Sequence, residues 1–181
     1  LERMGDELLA TARGDGKEVW FYDAAGRAKT LSCLGIYRWR FWYAWNRQLT
    51  GVGWWCHSHH GGADLWDGPN ATGDYFATVY DGLNGAVVSS KRWEAAREGV
   101  EDYEYLSLLA QHIRDAEARG AAAAPIAAAR RLLAELPPRI ESVLQQTGRR
   151  LPLTPDSAPV YDEATAALEN ARRQIVEACL A

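Results

Sequence analysis

Residues 89–113 read SSKRWEAAREGVEDYEYLSLLAQHI, and this stretch sets the architecture on both sides of it. Ser89 and Ser90 are good N-cap residues, because a hydroxyl can accept from the free amides of a first helical turn. Glu94 puts negative charge where the helix dipole favours it. Trp93, Ala96, Val100, Tyr103, Leu106, Leu109 and Ile113 then recur at steps of three or four. They predict one apolar stripe along a helix that ends near Gly120. At 1.5 Å per residue that helix is about 45 Å long. Between the apolar positions lie Arg92, Glu94, Arg97, Glu98, Glu101 and Asp102. Arg97 and Glu101 are spaced to pair, and the remaining acids need cations nearby. The spacing points to an ionic network joining the helix to the rest of the fold rather than to catalysis.

Downstream of this helix the chain is rich in Ala, Leu, Arg and Glu, and its only aromatic is Tyr161. That is helix-forming composition. It predicts helices over 121–136, 138–147 and 161–180. Pro137-Pro138 separates the first two, and a Pro-rich linker over 147–159 precedes the last.

Upstream, all eight tryptophans and all three phenylalanines fall between Trp20 and Trp93. The β-branched and aromatic run EVWFY, 18–22, follows the turn-forming Gly14-Asp15-Gly16 and reads as a strand. Residues 34–49 place Tyr37, Phe41, Trp42 and Trp45 at helical spacing. VGWWCH, 52–57, and YFATVY, 75–80, read as two more strands, with a Gly-, Asp- and Asn-rich loop between them. Strand, helix, strand is the unit of parallel α/β folds.

The expected fold is therefore α/β: a partial (β/α)8 barrel, its last two or three strands with their helices, then an all-helical C-terminal segment. Residues 1–88 would be the C-terminal portion of the barrel, 89–120 its long closing helix and 121–181 a helical appendage. A complete barrel needs about 250 residues. The chain begins at Leu1 with its only methionine at Met4, so most of such a barrel is expected upstream, in the same polypeptide.

The composition narrows the classes of function. Apolar residues are 48% and charged residues 24%, the range of a globular domain. A net charge of −4 disfavours a broad nucleic-acid surface, and no apolar run reaches membrane-spanning length. Cys33, Cys56 and Cys179 have no metal-finger spacing and read as buried thiols, with a Cys33–Cys56 bridge as the alternative. An extracellular or periplasmic location fits if a signal peptide precedes the chain. No cofactor is expected.

The order of motifs resembles a known family. Trp20-Phe21-Tyr22 is followed by Arg38 with Trp42, by Gly53-Trp54-Trp55 and by Trp66. The block from Ser90 to Leu106 then carries Arg92, Glu94, Arg97, Gly99 and Asp102-Tyr103-Glu104-Tyr105-Leu106 at fixed spacing. Over roughly residues 17–112 this is similar to the C-terminal part of the glycoside hydrolase family 123-like catalytic domain, the domain of unknown function 4091 group. Tyr80-Asp81-Gly82 stands where the family has Tyr-Pro-Gly. The resemblance implies a barrel acting on terminal glycosides, N-acetylhexosaminides among them. It also implies an adjacent Asp-Glu pair on a central strand working with the substrate's acetamido group, an exception to the usual two-carboxylate scheme. No such pair sits at a strand end here. Glu101-Asp102 is reversed and inside a helix, and Asp162-Glu163 lies in the unmatched C-terminal segment.

The candidate sugar-contacting residues are Trp20, Tyr22, Asp23, Trp54, Trp55, His57 and Trp66. Strand ends face the site in such barrels, and aromatic faces stack on the CH faces of sugars. Core filling is the competing role for the strand aromatics, a turn for Asp23 and a barrel-mouth cap for Trp66. Trp54 and Trp55 are adjacent, so only one can face a pocket. No residue is assigned as catalytic. The expected function is a sugar-contacting wall of a glycoside hydrolase-like protein. A non-catalytic carbohydrate-binding or scaffold barrel is the alternative. A second is a metal-dependent hydrolase using His57, His59 and His60 with Asp64 and Asp67. The histidine spacing matches no established zinc motif.

Overall fold

A computed structural model describes residues 6–24, 30–59, 76–148 and 154–181. Among these the chain is mostly helical. Helix α1 (Asp6–Gly14) leads into strand β1 (Trp20–Asp23). A π-helical turn (Leu34–Arg38) runs directly into α2 (Trp39–Asn46), and β2 (Gly51–Trp54) follows. Strands β3 (Val79–Asp81) and β4 (Val87–Ser89) precede three long helices, α3 (Lys91–Ala118), α4 (Ala123–Gln146) and α5 (Ala158–Leu180).

The first strand–helix–strand unit forms as its periodicity predicts. β1 and β2 pair in parallel, with Trp20 opposite Gly51 and Asp23 opposite Trp54. The barrel does not form. The described strands make only two separate two-stranded sheets. β3 does not join β1 and β2 but turns back on β4 as an antiparallel hairpin. The turn carries Asn84 and Gly85 at φ 58° and 75°, the left-handed conformations that an Asn-Gly hairpin turn uses. Of the expected third strand, Ala77 and Thr78 are buried coil. The amides of Thr78 and Val79 donate to the His57 carbonyl at 2.9 and 3.1 Å, which satisfies this segment locally instead of in a larger sheet.

What replaces the barrel is a helical core. Trp42, Leu106, Leu109, Leu136, Ile140, Leu144, Leu168 and Ile175 belong to one buried cluster. Helices α4 and α5 are thus built into the same core as α2 and α3. Helix α4 is continuous through Pro137 and Pro138. Each proline forfeits a backbone hydrogen bond, but Leu136, Pro137, Ile140 and Leu144 are all buried, and that packing holds the helix together. Buried Glu141 fixes α4 to the end of α2, accepting from Asn46 Nδ2 at 2.6 Å and from Arg47 at 3.1 Å.

Helix α3 begins at the predicted cap. Ser90 Oγ accepts from the amides of Arg92 and Trp93 at 3.1 and 3.3 Å and donates to the Thr78 carbonyl. Its buried face is rotated from the expected stripe, with Trp93 and Val100 exposed and Gly99 and Asp102 buried. Gly99 permits this. A Cβ there would lie 2.2 Å from Phe41 Cδ2, so only glycine lets α3 sit this close to α2.

Asp102 is the hub of the predicted ionic network, at 1% exposure. Arg38 grips it with two bonds, Nε to Oδ2 at 2.7 Å and Nη2 to Oδ1 at 3.0 Å. Trp42 Nε1 donates to Oδ2 at 2.9 Å, and Arg172 Nε from α5 donates to Oδ1 at 2.7 Å. One carboxylate thereby joins three segments. Arg38 also pairs with Glu98, and Arg97 pairs with both Glu94 and Glu101.

Candidate carbohydrate-contacting face

The parallel pair β1–β2 has two faces of opposite character, and strand alternation assigns them. Phe21 and Asp23 turn inward and are buried, while Trp20 and Tyr22 turn outward. Trp20 is 64% exposed and Tyr22 57%.

The outward rings lie down on the neighbouring strand. A Cβ placed on Gly51 would fall 2.4 Å from Trp20 Cδ2, and one on Gly53 would fall 3.3 Å from Tyr22 Cδ2. These glycines are the register partners of the two aromatics. The alternation Gly51-Val52-Gly53 thus matches Trp20-Phe21-Tyr22 position by position. The Trp20 ring covers Gly51, Tyr22 reaches Gly53 with one edge, and both residues are largely open to water. Both glycines are absent from the sequence-based site, although two interlocking period-two patterns are a signal for them.

The inward face is closed. Asp23 Oδ1 pairs with Arg40 Nη2 at 3.0 Å, with Arg40 at 0% exposure. The guanidinium sits 4.9 Å from the Tyr37 ring and 5.7 Å from the Trp54 ring, within cation–π range. Trp54 meets Tyr37 edge-on at 6.2 Å. Arg92, at the start of α3, approaches the same Tyr37 ring at 5.9 Å. Burial pushes the Tyr37 hydroxyl pKa up, and the charges of Arg92 and Arg40 oppose it. Burial likewise pushes the Cys33 thiol up, against Lys91 and Arg92. Asp23 therefore works inside the protein, and Trp54 on its inward side. Arg40, their common partner, carries no motif that reveals it in the sequence.

The adjacent tryptophans separate as strand geometry requires. Trp54 turns in, and Trp55 is 45% exposed with its ring 5.8 Å from that of His59. The Trp55–Cys56 peptide is cis. His57 is exposed and meets Trp93 edge-on at 6.2 Å. Trp66, His60, Asp64 and Asp67 lie outside the described residues. Among the described residues no three His, Cys, Asp or Glu side chains are placed to hold a metal ion, and no helix is long and apolar enough to cross a membrane. The three cysteines are free thiols, each partly buried.

The structure brings Trp20 and Tyr22 together on one open face, places Trp55 and His57 at the carboxyl end of β2, withdraws Asp23 into the interior and leaves Trp54 half-buried on the inward side. The two acidic pairs are not at strand ends. Asp102 is the structural hub, and Asp162 and Glu163 are exposed on α5. The chain matches no family model, no curated protein and no solved structure.

Proposed function

We propose that this chain is a sugar-contacting part of a glycoside hydrolase-like protein, that it binds terminal glycosides through Trp20 and Tyr22, and that it supplies no catalytic carboxylate. The observation that carries this reading is the Trp20 ring laid over Gly51, with Tyr22 beside it on the same side of the strand and more than half of each residue open to water. A flat aromatic face suits the CH face of a pyranose ring, where apolar contact and desolvation supply the affinity. Exposed aromatics held against a glycine track have lost their rotamer freedom in advance, which lowers the cost of binding.

The placement of Asp23 and Asp102 supports the non-catalytic half of the proposal. A general acid or nucleophile must reach the glycosidic oxygen or the anomeric carbon. Asp23 is sequestered with Arg40, and Asp102 is enclosed by Arg38, Trp42 and Arg172.

Titration with N-acetylgalactosamine, N-acetylglucosamine and galactose, followed by tryptophan fluorescence, tests the proposal. Saturable quenching by at least one sugar, lost in Trp20→Ala, is the expected result. The same preparation should release no nitrophenol from aryl N-acetylhexosaminides. A fluorescence response unchanged in Trp20→Ala sinks the assignment of the face, and turnover sinks the non-catalytic assignment.

A further inference from the structure

Resting on that reading, we infer that the Trp20–Tyr22 face takes two consecutive units of a neutral, unbranched glycan in extended form, rather than a single sugar. Three features of the face lead there. Residues i and i+2 of a strand lie about 6.6 Å apart on the same side, so Trp20 and Tyr22 offer two platforms in series, on the scale of successive rings in a polysaccharide. Both have glycines as register partners on the same neighbouring strand: Trp20 lies over Gly51, and Tyr22 brings Cδ2 towards Gly53. The two rings therefore stand in series along one straight strand pair.

The third feature is charge. The register positions that make the track are Trp20, Tyr22, Gly51 and Gly53, none of them ionisable near neutral pH. The strand's own carboxylate, Asp23, is turned to the other side and paired with Arg40. These four positions themselves offer no charge to an acidic polysaccharide, and stacking is what they supply. Recognition by stacking alone favours a ribbon whose successive rings present flat faces, as in β-1,4-linked chains. A coiled α-1,4 glucan lifts its second ring away from a straight track.

The test is a chain-length series by isothermal titration: glucose and cello-oligosaccharides of two, four and six units, chito-oligosaccharides of the same lengths, and maltotetraose. The β-linked tetramer of at least one series should bind tenfold or more tighter than its monomer, with maltotetraose close to monomer affinity. Tyr22→Ala should abolish that gain, so that tetramer and monomer bind the variant alike. Equal affinity for monomer and tetramer, or a gain that survives Tyr22→Ala, overturns the two-unit inference and leaves single-sugar binding standing. No binding of any sugar overturns the sugar-contacting reading as well. Tighter binding of maltotetraose than of cellotetraose contradicts the straight track.

Discussion

Two motif-bearing regions of this chain contrast sharply. The block from Ser90 to Leu106 is the most distinctive stretch of the sequence, yet its buried charges, Arg92 and Asp102, face the interior, and Asp102 holds helices together. The short aromatic run Trp20-Phe21-Tyr22 is a weak pattern, yet it presents two rings that are each more than half exposed. Fixed spacing of charged residues on a long helix records a packing constraint, because a buried carboxylate needs every partner at its own distance. Exposed aromatics on a strand need only alternation and a glycine to lie on.

The contrast breaks most visibly at Asp102. Asp102→Ala leaves buried Arg38 and part-buried Arg172 without their carboxylate and should cost about 3–5 kcal/mol of stability, read as a fall in the urea midpoint. Asp102→Asn keeps the shape and some hydrogen bonds and should cost less. A change under about 1 kcal/mol in Asp102→Ala would remove Asp102 as the hub. Gly99→Ala comes next. Its methyl group collides with Phe41 and should cost about 1–3 kcal/mol by overpacking, checked by the same unfolding curve. Arg172→Ala removes one of three donors to Asp102 from a partly exposed position, and about 1 kcal/mol is expected. Trp20→Ala should move stability by no more than about 1 kcal/mol while removing sugar binding.

The smallest effect concerns Glu94. Its hydrogen bonds from Ser89 and Arg97, and the charge of Arg97, hold its carboxyl below the usual range. A carboxyl with a folded pKa below its unfolded one stabilises above the unfolded pKa, and the contribution fades as pH falls through the folded pKa. Glu94→Gln should therefore narrow the stability gap between neutral and acid pH. An identical acid profile in wild type and variant would contradict the pairing.

Local signals made part of this legible in the sequence. Ser90 and Gly120 bracket α3 as a cap and a stop should, and the strand–helix–strand unit around α2 follows from two periodicities. The barrel did not follow, because a parallel pair does not say how many strands join it. A strand-like run such as 75–80 can close on its own hairpin when Asn84-Gly85 supplies the turn. Asp102 and Gly99 were invisible as buried positions, since a charged or a small residue on a helix reads as solvent face until its neighbours are known. Pro137 and Pro138 read as a break because the loss of two hydrogen bonds is local, whereas the burial that offsets it comes from other helices. In the candidate site, the exposed pair Trp20 and Tyr22 was readable by alternation. The withdrawal of Asp23 depended on Arg40, seventeen residues away in sequence and in contact only through the fold.

The most direct test places the two regions side by side in one experiment, measuring urea unfolding and oligosaccharide affinity on wild type, Trp20→Ala and Asp102→Asn. The account predicts a crossed result: Trp20→Ala keeps the wild-type unfolding midpoint and loses at least tenfold in affinity, while Asp102→Asn loses stability and, where folded, binds as wild type does. Affinity that is intact in Trp20→Ala and falls in folded Asp102→Asn would contradict it.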